Sequence, residues 1–228
     1  MARRTSSEDN GDRVREILAS SDELELLQER YVGGVLRTVS KKSDRFVIKR
    51  YVHAGGARPR RCPWVAENAA LKRLRGLHAP EPIGFVEQRS DSGMTATLVR
   101  RYVAGEPVAE PDDGLAREMA SLMAALHGRG VTTEDAHRHN FLRSAEGGLV
   151  FLDFGKARVF RTGSPLLYAG VAFELHRFFR AALGRDAGLW QIFIDEYQRC
   201  SSFGLLGRAA VSWLLRLETW RYRVVKGG

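Results

Sequence analysis

The chain is short of several things, and each shortage excludes something. Cysteine occurs twice in 228 residues, at Cys62 and Cys200. Two thiols so far apart make neither a disulfide framework nor a metal-ligand cluster, so a reducing cytoplasm is the expected setting. No apolar run approaches the roughly 18 residues that a membrane span requires. The opening stretch, MARRTSSEDNGDR, carries basic residues with no apolar core behind them, and a secretory signal is not expected. No internal repeat is visible. Nothing has the pattern of a helix-turn-helix, a zinc finger or an aromatic RNA-binding strand, which removes nucleic acid from the expected partners. Acidic residues are also in short supply, 27 against 36 Lys and Arg, for a net charge of +9. Such an excess is either an Arg-rich solvated surface or an attraction to an anionic substrate or membrane face.

What remains is sufficient for a globular core: 44% of residues are apolar and 28% charged. The length suits one domain, or two lobes sharing a core. Residues 1–12 are polar and are expected to be a flexible terminus. Ser20 with Glu23 forms a possible capping box, yet Leu24 and Leu26 alternate with Glu23 and Glu25, so helix and strand stay open there. From Tyr31, YVGGVLRTV and RFVIKRY flank the polar turn SKKSD and read as a hairpin. HAGGARPRRCP is a loop. Val65 to Leu77 has helical spacing and is stopped by Pro80 and Pro82. Ile83–Gln88 and Met94–Val103 are two further strands, followed by the linker AGEPVAEPDDG. Leu115–His127 is a strongly periodic helix, Leu149–Asp153 a short buried strand, and 166–183, 187–200 and 207–225 are helical. The order predicts an α+β lobe over residues 13–103 and an α lobe over 104–228, with the linker near Ala104–Glu106 as the natural crevice for a ligand.

The chemistry concentrates between Leu126 and Gly155. Asp135 is followed five positions later by Asn140, and Asp153 opens Asp-Phe-Gly after the apolar run Leu149–Leu152. Phosphoryl transfer from a nucleotide needs the phosphates held, their charge neutralised and the acceptor hydroxyl aimed in line. Asp135 can accept or orient the hydroxyl proton. Asn140 offers a neutral oxygen to Mg2+, and Asp153 a carboxylate fixed at a strand end. Lys49, in Phe-Val-Ile-Lys, can bind the α- and β-phosphates, and Glu67 on the next helix can hold its ammonium. Taken alone, each is an ordinary loop, cap or surface residue; together at this spacing they describe a site.

These residues resemble the protein-kinase-like superfamily. Within it, the stretches ENAALKRLRGLHAPEPIG (67–84), LVRRYVAGEPV (98–108), HGRGVTTEDAHRHNFL (127–142) and VFLDFGKAR (150–158) resemble the bacterial kinases that phosphorylate heptose or Kdo sugars of the lipopolysaccharide inner core. The resemblance implies a bilobal protein-kinase-like fold, with a small β-rich N-lobe carrying one helix and a mostly helical C-lobe. It implies ATP and Mg2+ as cofactors, Asp135 as catalytic base, Asn140 and Asp153 as metal ligands, and Lys49 with Glu67 on the phosphates. It also implies adenine contacts through the backbone near Arg101 and Val103. The acceptor would be a sugar or glycolipid, anionic in character, met in the cytoplasm or at the inner face of the cytoplasmic membrane.

Three positions depart from the pattern. Thr133 stands where such kinases carry His two residues before the catalytic Asp. The phosphate loop is reduced to Gly33-Gly34, without a full Gly-x-Gly-x-x-Gly. Arg101 occupies a hinge position that is often Glu. No Ala-Pro-Glu follows, and 73 residues remain after Gly155, little material for a peptide platform. A sugar fits better than a protein by subtraction, with an aminoglycoside-type small molecule, a protein kinase and a nucleotide-binding pseudokinase as alternatives. Arg138, Lys156, Arg158 and Arg161 flank the site and either attract an anionic acceptor or are solvated loop charges, Lys156 being nearest in sequence. His137 and His139 lack a third ligand, so a structural role for His137 is preferred over zinc. The last helix carries Trp213, Leu217, Trp220 and Val224 on one face with Arg216, Arg221, Arg223 and Lys226 elsewhere. Two readings stand: a helix closing the α lobe, or a membrane-surface helix.

Overall fold

A computed structural model describes residues 6–20, 24–32, 36–54, 61–90 and 93–226. Gly33 and Gly34 lie outside the described residues. The chain divides into two compact units, one made of the residues through Lys72 with Pro80–Val103, the other of Arg73–Ala79 with everything from Ala104 on. The first is built on a β-sheet and the second is mainly helical, so the protein is mixed α+β.

In the first unit, β1 (Glu25–Val32), β2 (Leu36–Lys42), β3 (Phe46–Ala54), β4 (Pro82–Ser90) and β5 (Gly93–Arg101) form one antiparallel sheet in the order β1-β2-β3-β5-β4. The pleat sends alternate side chains to opposite faces. Ile48 and its partner Val99 share one face; Lys49, its partner Leu98, Val47 and its partner Arg100 share the other. A helix covers each face. On one, α1 (Ser6–Ser20) packs Val14 and Ile17 against Ile48, Ile83 and Val99. On the other, α2 (Pro63–Arg73) packs Trp64 among Tyr51, Met94, Ala96 and Leu98. Each fully buried aliphatic or aromatic side chain contributes about 1.5–3 kcal/mol.

Residues 6–12 belong to α1 rather than to a flexible terminus, and the sheet carries two helices, not one. The segment looked too polar to pack, but Val14 and Ile17 sit one turn apart on one face and both are buried, which is enough to dock the helix. Ser20 closes α1, its hydroxyl donating to the Ile17 carbonyl at 3.2 Å, instead of opening a capping box. The ambiguous stretch after it becomes strand from Glu25. α2 stops at Arg73, short of Leu77, and Gly76 takes the left-handed conformation (φ +77°) in the turn beyond.

In the second unit the helices are α3 (Asp113–Gly128), α4 (Pro165–Ala181), α5 (Ala187–Cys200) and α6 (Leu205–Lys226). Asp112, Ser164 and Asp186 cap α3, α4 and α5 by accepting from the backbone N–H three residues on, each contributing about 1 kcal/mol. Between the helices run short strands. β6 (Gly105–Pro107), β8 (Phe141–Ser144) and β9 (Leu149–Phe151) form one small sheet, and β7 (Val131–Thr132) pairs with β10 (Arg158–Val159). β6 lies inside the expected linker, where Gly105 pairs with Ser144. Phe141, Phe151, Phe154, Phe178 and Phe193 form a chain of ring contacts, joining the small sheet to α4 and α5. Among the described residues, no helix is long and apolar enough to cross a membrane.

Candidate active site

In the sheet unit, Lys49 and Glu67 meet as their 18-residue spacing suggested. Lys49 projects from β3 toward α2 and its Nζ donates to Glu67 Oε2 at 2.8 Å. Glu67 is fully buried, and the Lys49 side chain is 11% exposed. The sequence did not point to two further partners. Arg100 Nε forms an ion pair with Glu67 Oε1 at 3.4 Å, too poorly directed for a hydrogen bond, and Tyr51 donates its hydroxyl to Glu67 Oε2 at 3.4 Å. The register explains the set. Lys49 and Tyr51 are two apart on β3, and Arg100 is opposite Val47, so all three face α2. One carboxylate is thus shared by two buried cations.

Arg101, one residue on, points the other way. It is exposed and pairs with Glu81 at 2.6 Å, while its backbone N–H donates to the Glu81 carbonyl at 2.8 Å. Its side chain is a surface partner, and its N–H is committed within the sheet unit. Val103, the last residue of that unit, is half-buried.

In the helical unit, the loop after β7 holds Asp135 and Asn140 together. The Asn140 Nδ2 donates to the Asp135 carbonyl at 2.7 Å, and the Asn140 carbonyl accepts from Leu152 N at 2.9 Å. The second bond ties this loop to the residue just before Asp153. Asp153 Oδ1 accepts from Gly155 N at 3.1 Å, so the turn after β9 is closed by the carboxylate itself. Phe154 is fully buried with its ring 5.2 Å from Phe151, which anchors Asp153 from the other side. The β7–β10 pair, Thr132 opposite Arg158, clamps the two loops together. Gly130 (φ +76°) permits this approach, since a Cβ there would meet the Phe160 carbonyl at 2.5 Å.

The Asp135 carboxylate, 12% exposed, has a cation or imidazole at each oxygen. Lys156 Nζ donates to Oδ2 at 3.0 Å, and His137 Nε2 lies 3.5 Å from Oδ1. Lys156, expected at an acceptor, therefore contacts the expected base, with its side chain 62% exposed. Arg138 pairs with Glu110 and Arg158 with Glu134. Glu134 is a non-glycine residue in the left-handed region (φ +56°), a strained position immediately before Asp135.

Thr133 is fully buried, and its surroundings form the part of the site that sequence reasoning missed. Glu174, on α4, accepts from Thr133 N at 2.9 Å and also from the Thr133 hydroxyl. The same carboxylate accepts from His127 Nε2 at 3.0 Å. His127 Nδ1 is 2.8 Å from the Tyr197 hydroxyl. Burial, with the Glu174 charge adding, pushes the Tyr197 phenol well above its ordinary value, so it stays protonated and donates. Thr133 Oγ1 in turn accepts from Asp135 N at 3.4 Å. The chain Tyr197–His127–Glu174–Thr133 thus ends at the backbone of Asp135. One trace was visible in the sequence: Glu174 interrupts the apolar face of α4, between Val171 and Phe178, where the period calls for an apolar residue.

Among the described residues, no group of three or more His, Cys, Asp or Glu side chains has the arrangement of a protein-made metal cage. Mg2+ bound to nucleotide does not need one, because it retains water and takes phosphate oxygens beside one or two protein oxygens. The donors here suit it. With Asn140 Nδ2 given to the Asp135 carbonyl, Asn140 could offer its Oδ1 to a cation and Asp153 its carboxylate. Both are hard oxygen ligands. Compared with known proteins, the chain matches no family model and no curated protein.

Proposed function

We propose that this chain is an ATP- and Mg2+-dependent kinase of protein-kinase-like fold that transfers the γ-phosphoryl group to a sugar hydroxyl, with heptose or Kdo of the lipopolysaccharide inner core as the acceptor. The observation that carries the reading is the buried Lys49–Glu67 pair with Arg100 beside it. A buried ion pair contributes less to stability than well-packed apolar side chains would, so its presence calls for a use. Phosphate binding is such a use: Lys49 turns to the α- and β-phosphates while Arg100 keeps Glu67 compensated. A five-stranded sheet with this helix between its third and fourth strands supports the fold assignment.

Asp135 orients the acceptor hydroxyl and takes its proton as the new oxygen–phosphorus bond forms and the bond to the ADP oxygen breaks. Lys156 yields Asp135 Oδ2 to that hydroxyl. Glu174 and Thr133 hold the loop so that no reorganisation is needed at that moment. Asn140 and Asp153 would hold Mg2+, which when bound neutralises phosphate charge. The acceptor rests on the resemblance.

A second reading, nucleotide binding without transfer, is favoured by one observation: both Asp135 oxygens already face Lys156 and His137. Purified protein, Mg-ATP labelled at the γ-position and a panel of acceptors separates the readings. Label on dephosphorylated core oligosaccharide is expected. Label on an aminoglycoside or a peptide instead would replace the acceptor, and nucleotide binding with no label on any acceptor would favour the second reading.

A further inference from the structure

α6 has two apolar faces where a closing helix needs one. The inner face carries Val211, buried, and Gly207, so close to Tyr168 of α4 that a Cβ would meet its ring at 2.9 Å. Tyr222 lies on the same side, with the Arg180 guanidinium of α4 4.2 Å from its ring centre. That face accounts for how α6 closes the helical unit. The opposite face is open. Leu206 is 89% exposed, Trp213 62%, Leu217 41% and Trp220 61%. Their spacings of seven, four and three place them in one stripe along the helix. Arg216 and Arg221 fall on its two edges at 100° per residue, and α6 as a whole has five Lys and Arg against one Glu.

Two indoles and two leucines held in water on one line make a patch of the kind that marks an interaction surface. Its chemistry selects the occupant. A second copy of α6 packed on this stripe would bring the edge arginines of both helices together, and Glu218 already lies 3.7 Å from Arg221 of its own helix. An anionic lipid leaflet fits without that conflict. Tryptophan settles at the boundary between headgroups and acyl chains, arginine at the edges meets lipid phosphate, and the chain's net charge of +9 adds a longer-range attraction. The stripe lies along the helix, and α6 is not apolar enough to cross.

We propose that the outer face of α6 lies flat in the surface of an anionic membrane, with Trp213 and Trp220 at the headgroup level. The inference does not depend on phosphoryl transfer. It is tested with the full chain and sedimented vesicles of phosphatidylcholine, alone or with about one-third phosphatidylglycerol. The wild type should partition onto the anionic vesicles at least ten-fold more strongly than onto the neutral ones, with a blue shift in tryptophan emission. Trp213→Ser/Trp220→Ser should bind at least ten-fold more weakly with an unchanged melting temperature, because both side chains are exposed. Arg216→Glu should weaken anionic binding alone. A wild type that stays in the supernatant, or a double variant that binds as well as wild type, overturns the proposal. So does a dimer in solution that the double variant dissociates, which would give the stripe to a second copy.

Discussion

Glu67 in the sheet unit and Glu174 in the helical unit are both almost completely buried, and they are compensated in opposite ways. Glu67 faces cations: Lys49 at 2.8 Å, Arg100 at 3.4 Å. Glu174 faces a threonine N–H and hydroxyl and a histidine N–H. The first arrangement can change partners, since a lysine can turn to a phosphate while arginine stays. The second is tied on, because Thr133 Oγ1 also accepts from Asp135 N and His127 Nδ1 also meets the Tyr197 hydroxyl. A movable carboxylate cluster suits a ligand; a fixed one suits the positioning of a loop.

Removing each carboxylate sharpens the contrast. Glu67→Ala strands two buried cations and should cost about 3–5 kcal/mol in denaturant unfolding. Arg101→Ala, one residue from Arg100 but on the exposed face with Glu81, should change stability by no more than about 0.5 kcal/mol. Glu174→Ala leaves the Thr133 and His127 donors unsatisfied and should cost about 3 kcal/mol, a fall in melting temperature of about 6–12 °C for a chain this size. Glu174→Gln, which keeps an acceptor, should lose less. Equal losses for Glu174→Gln and Glu174→Ala would mean that charge, not geometry, holds the Thr133 loop.

Titration gives a smaller effect in the helical unit. Burial, with Arg180 adding, holds the His176 imidazole below its ordinary 6.5, and its buried Nε2 has no hydrogen-bond partner. The unfolded chain binds that proton more readily, so this contribution to stability is complete above about pH 6.5 and declines as pH falls through the window below it. His176→Phe should flatten the melting-temperature profile between about pH 7.5 and 5. Glu196 behaves alike at lower pH. Hydrogen bonds from Arg199 hold its carboxyl at about 2, so its contribution is lost only as pH falls from 4.5 toward that value.

The same contrast explains what the sequence made legible. Lys49, Glu67, Asp135, Asn140 and Asp153 stood out as candidates because each belongs to a short local pattern on or beside one element: a strand, a helix or a loop. Arg100 could not, because its partner is set by strand register; Arg100 and Arg101 look equivalent in sequence and face opposite ways. Glu174 is 41 residues from Thr133 and Tyr197 is 70 from His127, and each meets its partner only through helix packing. α1 was missed because two buried residues sufficed to dock it. The final helix was read as either closing the unit or facing a membrane, and its inner face, with Val211 and Tyr222, closes the unit.

The proposed kinase reading is tested most directly by one comparison on Asp135→Ala: its Kd for Mg-ATP beside its rate of γ-phosphoryl transfer. The account predicts a Kd within a few-fold of wild type, since Lys49 and Glu67 are untouched, and a turnover lower by about 10²–10⁴-fold, the usual contribution of a positioned general base. Turnover equal to wild type in Asp135→Ala would contradict it.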